Sequence, residues 1–152
     1  MKSVVAIYGR GIALLNSPVV EGVALLLVRV ALAGVFWRSG RTKVVEGSWL
    51  EINDFTYDLF RDEFSGLPLD PALAVPLTTW AEHVFPVLLL IGLATRLSAA
   101  ALLVMTLVIQ IFVFPDAWWP VHSLWAAMAA ILIVRGGGLF SLDAILARPQ
   151  RA

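Results

Sequence analysis

The sequence predicts an all-α protein: an integral membrane four-helix bundle with an extra amphipathic helix in the long first extramembrane loop. Hydrophobic residues make up 60% of the 152 residues and charged residues 14%, whereas soluble domains have roughly 45–50% and 25%. Four apolar runs are separated by turn signals, and about 20 apolar residues are enough to cross a ~30 Å hydrocarbon core. We expect residues 1–152 to form a single domain.

Composition excludes several function classes. The chain has no cysteine, which excludes disulfides, thiolate metal sites and iron–sulfur clusters. Its 11 basic and 11 acidic residues give zero net charge, so no global basic surface is available for nucleic acid. No phosphate loop, nucleophilic triad or HExxH pattern occurs, which argues against a hydrolase or a nucleotide enzyme.

The first predicted span covers residues 19–37. An N-terminal segment, residues 1–17, is expected to lie at the membrane interface, and Asn16-Ser17-Pro18 supplies a helix start. Arg29 lies about 15 Å into the span, and a basic cluster that includes Arg38 ends it. The glycines of this helix make a homo-oligomer a further expectation.

The amphipathic helix is predicted over residues 49–64. Apolar residues recur at helical spacing there, and four acidic residues form a stripe: Glu51, Asp54, Asp58 and Asp62. A solvated acidic face is the simpler interpretation. The alternative is a surface between Trp49 and Phe64 that docks a protein partner on the periplasmic side.

The remaining spans are predicted at residues 73–94, 97–114 and 121–134. Glu82 and His83 lie near the middle of the second, where a carboxylate costs about 2.5 kcal/mol or more unless it is paired or neutralised. They are therefore the default functional site. Four spans place both termini on one side, and the six basic residues there against four opposite predict that both are cytoplasmic.

Depth counted from the helix ends places Arg29 and Glu82 at one level, so we expect them to pair. This ion pair either takes part in function or only fixes helix register. The side chains of Arg38, Gln110, His122 and Trp125 fall in the outer half. They suggest a polar funnel from the outer face to the middle of the membrane.

Three chemistries fit this funnel. A quinone headgroup needs hydrogen-bond donors and a nearby proton acceptor beside aromatic walls. Copper or haem could be bound by His83 and His122, because imidazole is a common ligand for both. Passage of protons or ions through Glu82 and His83 is the third.

Four stretches carry a resemblance to a known family. They are LLLVRVALAGVFWRSGRTKV, which ends in Gly-x-x-Lys (Gly40 and Lys43); TWAEHVFPVLLLIGLATRLSA, with its glutamate and a Gly-Leu-x-Thr-Arg turn; HSLWAAMAAILIVRGGG; and GLFSLD. Together they resemble the DoxX family of small four-helix bacterial membrane proteins. The resemblance implies a multi-pass protein of the bacterial cytoplasmic (inner) membrane. By resemblance, the recurrent polar positions of the family are Arg29, Glu82, Arg96 and Asp143.

The family is named for a subunit of an archaeal thiosulfate:quinone oxidoreductase, which implies a link to membrane redox complexes. His83, His122 and the acidic loop resemble a subgroup often encoded beside enzymes that modify copper-binding peptides. We therefore predict a quinone-linked subunit or accessory factor of a redox complex, or alternatively a non-enzymatic protein that handles copper or haem or docks a partner. The predicted roles are catalysis for Glu82 and His83, cofactor binding for Arg29, Arg38, Gln110, His122 and Trp125, and metal binding for His83 and His122.

Overall fold

The computed structural model describes residues 12, 13 and 15–147, so the interfacial segment predicted over residues 1–17 lies largely outside the described residues. Helices are the regular secondary structure of the described residues, which contain no strand and one isolated β-bridge between Val44 and Ile52. The all-α prediction is confirmed. The helices are α1 (Pro18–Arg41), α2 (Asp54–Asp62), α3 (Pro71–Ile91), α4 (Thr95–Phe112), α5 (Ser123–Arg135) and α6 (Leu142–Leu146). A 3₁₀ turn (Pro115–Ala117) and an irregular turn (Trp118–His122) connect α4 to α5.

Three of these helices are long and apolar enough to cross a membrane. They are α1, α3 and α4, with 24, 21 and 18 residues, and they correspond to the first three predicted spans. With 13 residues, α5 is only about 20 Å long, which is shorter than the ~30 Å hydrocarbon core. The fourth span stays a prediction.

The termini of α1 and α3 follow from local hydrogen bonding. Ser17 accepts a hydrogen bond from the backbone N–H of Val20, and Pro18 occupies the first turn, where its missing N–H costs nothing. At the start of α3, Asp70 accepts a hydrogen bond from the backbone N–H of Ala72, and Pro71 occupies the first turn. Gly92 ends α3 with a φ of +70°, a conformation that glycine adopts without strain.

Four helices share one core. α1 contributes Leu25, Leu32 and Phe36, and α3 contributes Leu89. α4 and α5 complete the core with small and branched side chains at helical spacing: Ala99, Leu102, Ala129 and Leu132. Leu27, Leu73 and other large apolar residues point outwards, as expected for helices that face lipid.

The predicted amphipathic helix is present but shorter than residues 49–64. Asn53 caps its first turn, and residues 44–52 instead form a turn closed by the β-bridge. Phe60 of α2 is buried against Ala74 and Val75 of α3. The acidic stripe is exposed on the opposite face.

α1 and α3 are antiparallel and strongly offset. A Cβ atom on Gly40 would lie 2.8 Å from Cε1 of His83, and one on Gly92 would overlap Nη1 of Arg29. The C-terminal end of α1 is therefore level with the middle of α3, whose first half packs instead against α2. A Cβ atom on Gly34 would have no neighbour within 4 Å, and self-association through this glycine stays a prediction.

Candidate functional site

Glu82 forms a buried ion pair with Lys43. The Lys43 Nζ atom lies 2.6 Å from Oε2 of Glu82, and the Ser39 hydroxyl donates to Oε1 at 2.9 Å. Glu82 is 1% exposed and Lys43 6%. We call these three side chains the Glu82 cluster. A carboxylate and an ammonium buried at this depth require such a partnership.

The loop after α1 directs Lys43 back towards α3. The Lys43 carbonyl accepts hydrogen bonds from the Asn53 N–H and the Thr56 hydroxyl, both at 3.0 Å. Because Thr56 belongs to α2, formation of that helix fixes the Lys43 backbone. Gly40 completes the arrangement, since only a residue without a Cβ lets α1 approach the Glu82 and His83 side chains so closely.

The predicted Arg29–Glu82 pair is wrong. Arg29 is fully buried, but its guanidinium donates to the Phe140 carbonyl and contacts the turn at Gly92. Depths counted from the helix ends assumed that α1 and α3 start at opposite membrane surfaces. The offset separates the two levels by about eleven residues of helix, or about 16 Å.

A cavity of about 390 Å³ opens beside the Glu82 cluster. Glu82, Lys43 and Ser39 contribute polar atoms to its wall. The rest of its lining is largely apolar and comes from α1 to α5 and the connecting loops, including Phe36, Phe60, Phe64, Leu77, Val104, Met105 and Phe114. A mainly apolar pocket with a few convergent polar groups is the usual form of a small-molecule site.

His122 and Trp125 line the same cavity, and their role in cofactor binding stays a prediction. Nδ1 of His122 lies 2.7 Å from Oε1 of Gln110. An amide oxygen only accepts hydrogen bonds, so Nδ1 carries the hydrogen and a neutral ring presents a lone pair at Nε2. Gln110 is itself held by a bond from Nε2 to the Pro115 carbonyl. It therefore orients His122 without lining the cavity.

His83 and Arg38 lie elsewhere. Nδ1 of His83 is 2.7 Å from the Thr79 carbonyl, and its ring meets the edge of Trp37 at a centroid distance of 5.1 Å. His83 is buried between α3 and α1 and does not line the cavity. Arg38 is exposed and is also absent from the lining.

Among residues 12, 13 and 15–147, no group of three or more His, Asp or Glu side chains is arranged to hold a metal ion. His83 contacts α1, whereas His122 contacts Gln110 and Trp125. The two predicted metal ligands have no partner in common.

A second polar cluster joins the other end of α3 to the chain's C-terminal segment. The Asp143 carboxylate accepts hydrogen bonds from the Ala94 and Thr95 N–H groups, both at 2.8 Å, and so caps α4. Its own N–H donates to the Gly92 carbonyl at 2.9 Å. We call Arg29, Gly92, Ala94, Thr95 and Asp143 the Asp143 cluster. A shallow depression of about 570 Å³ lies on its outer side.

The pKa of Asp143 is lowered. Desolvation by burial acts in the opposite direction, but it is outweighed by the hydrogen bonds from Thr95 and Ala94 and by the nearby Arg29 charge. Arg96 lies next to the Asp143 cluster and donates a hydrogen bond to the Ile133 carbonyl at 2.6 Å. Three of the four family-like polar positions thus hold the ends of helices together.

Comparison with known proteins identifies the family. The DoxX family model matches residues 24–115. The chain belongs to the DoxX family. It is also 31% identical over 142 residues to an uncharacterized protein of Haemophilus influenzae, with 83% of this chain and 85% of that protein covered. No solved structure matches this DoxX protein.

Sequence reasoning missed Lys43 and Ser39 as members of the site. Lys43 follows the apolar run, and its position in the sequence therefore favours a basic cluster outside the membrane. The available signal was the Gly-x-x-Lys ending of the first helix. Its physical meaning is now clear: Gly40 admits Glu82, and Lys43 pairs with it.

Proposed function

We propose that this DoxX protein binds a quinone headgroup in the cavity beside the Glu82 cluster, as a subunit or accessory factor of a membrane redox complex. The observation that carries the proposal is a buried Lys43–Glu82 ion pair that faces about 390 Å³ of mostly apolar volume. An ion pair with a purely structural role has no need of adjacent free volume. A ligand that combines a flat apolar ring with polar oxygens fits such a site.

The polar groups on the cavity wall suit a quinone headgroup in both redox states. The longest hydrogen bond of the Lys43 ammonium is the 3.4 Å bond to the Ser39 carbonyl, and that hydrogen can be redirected to a quinone carbonyl oxygen. The lone pair at Nε2 of His122 can accept a hydrogen bond from a hydroxyl of the reduced quinol. Glu82 accepts hydrogen bonds from Lys43 and Ser39 and can hold a proton. Trp125 and Phe36 meet edge to face at 5.7 Å and form an aromatic wall.

A quinone, when bound, supplies two-electron chemistry that is coupled to two protons. This chain's residues would orient the headgroup and exchange protons at the Glu82 carboxylate and the His122 ring. In this proposal the electrons come from a partner protein of the redox complex. The exposed acidic face of α2 is the surface for that partner, on the periplasmic side of an inner membrane that leaves both termini in the cytoplasm.

Copper or haem handling, the alternative considered from the sequence, has no structural observation in its favour. His83 and His122 do not face a common volume. We therefore carry the quinone hypothesis forward.

The first test is quinone binding by protein purified in mild detergent. Lipid extraction and mass spectrometry should recover quinone in near-stoichiometric amounts. Added decylubiquinone should quench tryptophan fluorescence, and Trp125→Phe should remove that response because the other described tryptophans do not line the cavity. Failure to recover or bind quinone overturns the proposal.

Variants of the Glu82 cluster then separate binding from folding. Glu82→Gln should abolish quinone-dependent turnover of the complex, and the doubly uncharged Lys43→Met/Glu82→Leu should fold but fail to bind quinone. Glu46→Gln, the same chemical change at an exposed residue outside the acidic stripe, serves as the matched control with normal binding. Full quinone binding by the folded double variant would remove the ion pair from the site.

A further inference from the structure

We infer that the ligand of this cavity is an amphiphile with an apolar tail, which enters sideways from the lipid through a portal between α3 and α4. The inference rests on the proposed function for the headgroup but adds the tail and the route of access. The portal is defined by Leu69, Leu77, Val104 and Phe114.

Exposure is distributed unevenly around the cavity wall. Within the described part of the chain, the four portal residues are the only exposed residues of the lining, and all four are apolar. Leu77 is 64% exposed and Val104 59%. Because both also line the cavity, they form its rim rather than its floor.

The portal faces lipid, since Leu77 and Val104 belong to α3 and α4, two of the three helices long enough to cross a membrane. Glu82, one and a half turns along α3 from Leu77, lies near the middle of that helix. Other large apolar side chains on the outer faces of both helices, such as Leu73 and Ile111, are equally exposed. An opening among such side chains communicates with hydrocarbon.

The opposite end of the cavity is polar and closed. Lys43, Glu82 and His122 are all buried, and they differ from the portal residues in both exposure and chemistry. The cavity therefore changes from ionic at its inner end to apolar at its rim. A molecule with a polar head and an alkyl or isoprenoid tail matches this gradient when it enters head first.

α2 closes the route from water. Phe60 and Phe64 both line the cavity and stack at a centroid distance of 4.4 Å, and Phe64 meets Phe114 edge to face at 6.0 Å. The loop after α2 packs tightly on the end of α4, because a Cβ on Gly66 would overlap the Phe112 carbonyl oxygen. Access from lipid is thus open where access from solution is covered.

The test blocks the portal with indole rings. The variant Leu77→Trp/Val104→Trp is compared in nanodiscs with the matched control Leu73→Trp/Ile111→Trp, which adds the same bulk on the same two helices outside the cavity lining. Two probes are used: decylubiquinone and the tailless 2,3-dimethoxy-5-methyl-1,4-benzoquinone. The portal variant should bind decylubiquinone about tenfold more weakly, equivalent to two lost methylene contacts. At equilibrium it should bind the tailless quinone with unchanged affinity, because that ligand leaves the portal empty once bound, and the control should bind both quinones normally.

The outcomes separate this inference from the proposed function. If the portal variant binds both quinones like the unmodified protein, the portal is overturned and quinone binding stands. If the unmodified protein binds neither quinone, the proposed function falls, and a second readout decides the portal. A fatty acid with a diazirine on a carbon next to its carboxyl group should label Phe36 or Met105 inside the cavity of the unmodified chain, and the portal variant should lose that label. Label confined to outward-facing residues overturns the portal.

Discussion

The two polar clusters of this protein combine similar residues with opposite packing. The Glu82 cluster places a buried charge pair beside about 390 Å³ of free volume. The Asp143 cluster surrounds Arg29 so closely that a single methyl group on Gly92 would overlap the guanidinium. Free volume next to a charge leaves room for a ligand, whereas tight packing around a charge fixes the positions of the surrounding helices. The difference indicates that polar residues typical of one family need not share a function.

The largest expected effect comes from breaking the Glu82 cluster on one side. Lys43→Met leaves the Glu82 carboxylate buried without a counter-ion, and we expect a loss of about 3–5 kcal/mol in the free energy of unfolding. Lys43→Met/Glu82→Leu should recover most of that loss, because no buried charge remains. Unfolding in mixed detergent micelles measures both. A double variant as unstable as the single one would contradict a role for charge pairing.

The second prediction concerns close packing in the Asp143 cluster. Gly92→Ala adds a Cβ in a left-handed backbone conformation, where it would overlap Nη1 of Arg29 and lie 2.5 Å from Cβ of Ser141. Strain and overlap together should cost about 3 kcal/mol. Thermal unfolding of purified protein gives the value.

Gly34→Ala is the matched control for Gly92→Ala. Gly34 lies inside α1 with nothing within 4 Å of the position a Cβ would take, so alanine there should stabilise the helix by up to about 1 kcal/mol. Equal effects at the two glycines would refute the distinction between a packed and an open position.

The smallest effect is expected from Asp143→Asn. The asparagine side chain keeps one oxygen but presents an NH2 group in place of the other, so one of the two backbone N–H groups loses its acceptor. Loss of one capping hydrogen bond costs up to about 1 kcal/mol. The pKa of Asp143 is lower in the folded protein than the value of about 3.9 for an unperturbed aspartate. Its stabilising contribution is therefore complete above about pH 4 and disappears as the pH falls through the folded pKa.

Unfolding measured from about pH 6 downwards tests this sign. The unmodified protein should lose stability below about pH 4, and Asp143→Asn should lose less over the same interval. Parallel curves for the two proteins would show that Asp143 does not titrate with the fold.

Much of the fold could be predicted from the sequence, because apolar runs and their caps are local signals. The runs around Arg29 and Glu82 form helices at the expected places. The offset between α1 and α3 could not be predicted, since it depends on where Gly40 and Gly92 let side chains from another helix approach. The predictions that compared depths along the two helices assumed no such offset. The Arg29–Glu82 pair, which depended on this comparison most, was therefore wrong.

The candidate site could be predicted in part for the same reason. Glu82 is conspicuous as a charge within an apolar run, and His122 and Trp125 are conspicuous because they begin the fourth run. Lys43 was missed because its position depends on hydrogen bonds from Asn53 and Thr56 across a loop. Contacts of that kind leave no periodic trace in the sequence.

The bond from Arg29 to the Phe140 carbonyl also has a consequence for how the protein is made. The two residues are 111 positions apart, and at about 5–20 residues per second Arg29 leaves the ribosome about 5–20 s before its acceptor is synthesised. Lys43 and Glu82 are 39 positions apart, so at the same rate Glu82 is synthesised about 2–8 s after Lys43. The first helix thus enters the membrane before the backbone carbonyl that accepts from its buried arginine has been made. The packing around Arg29 is completed only after Phe140 has been synthesised.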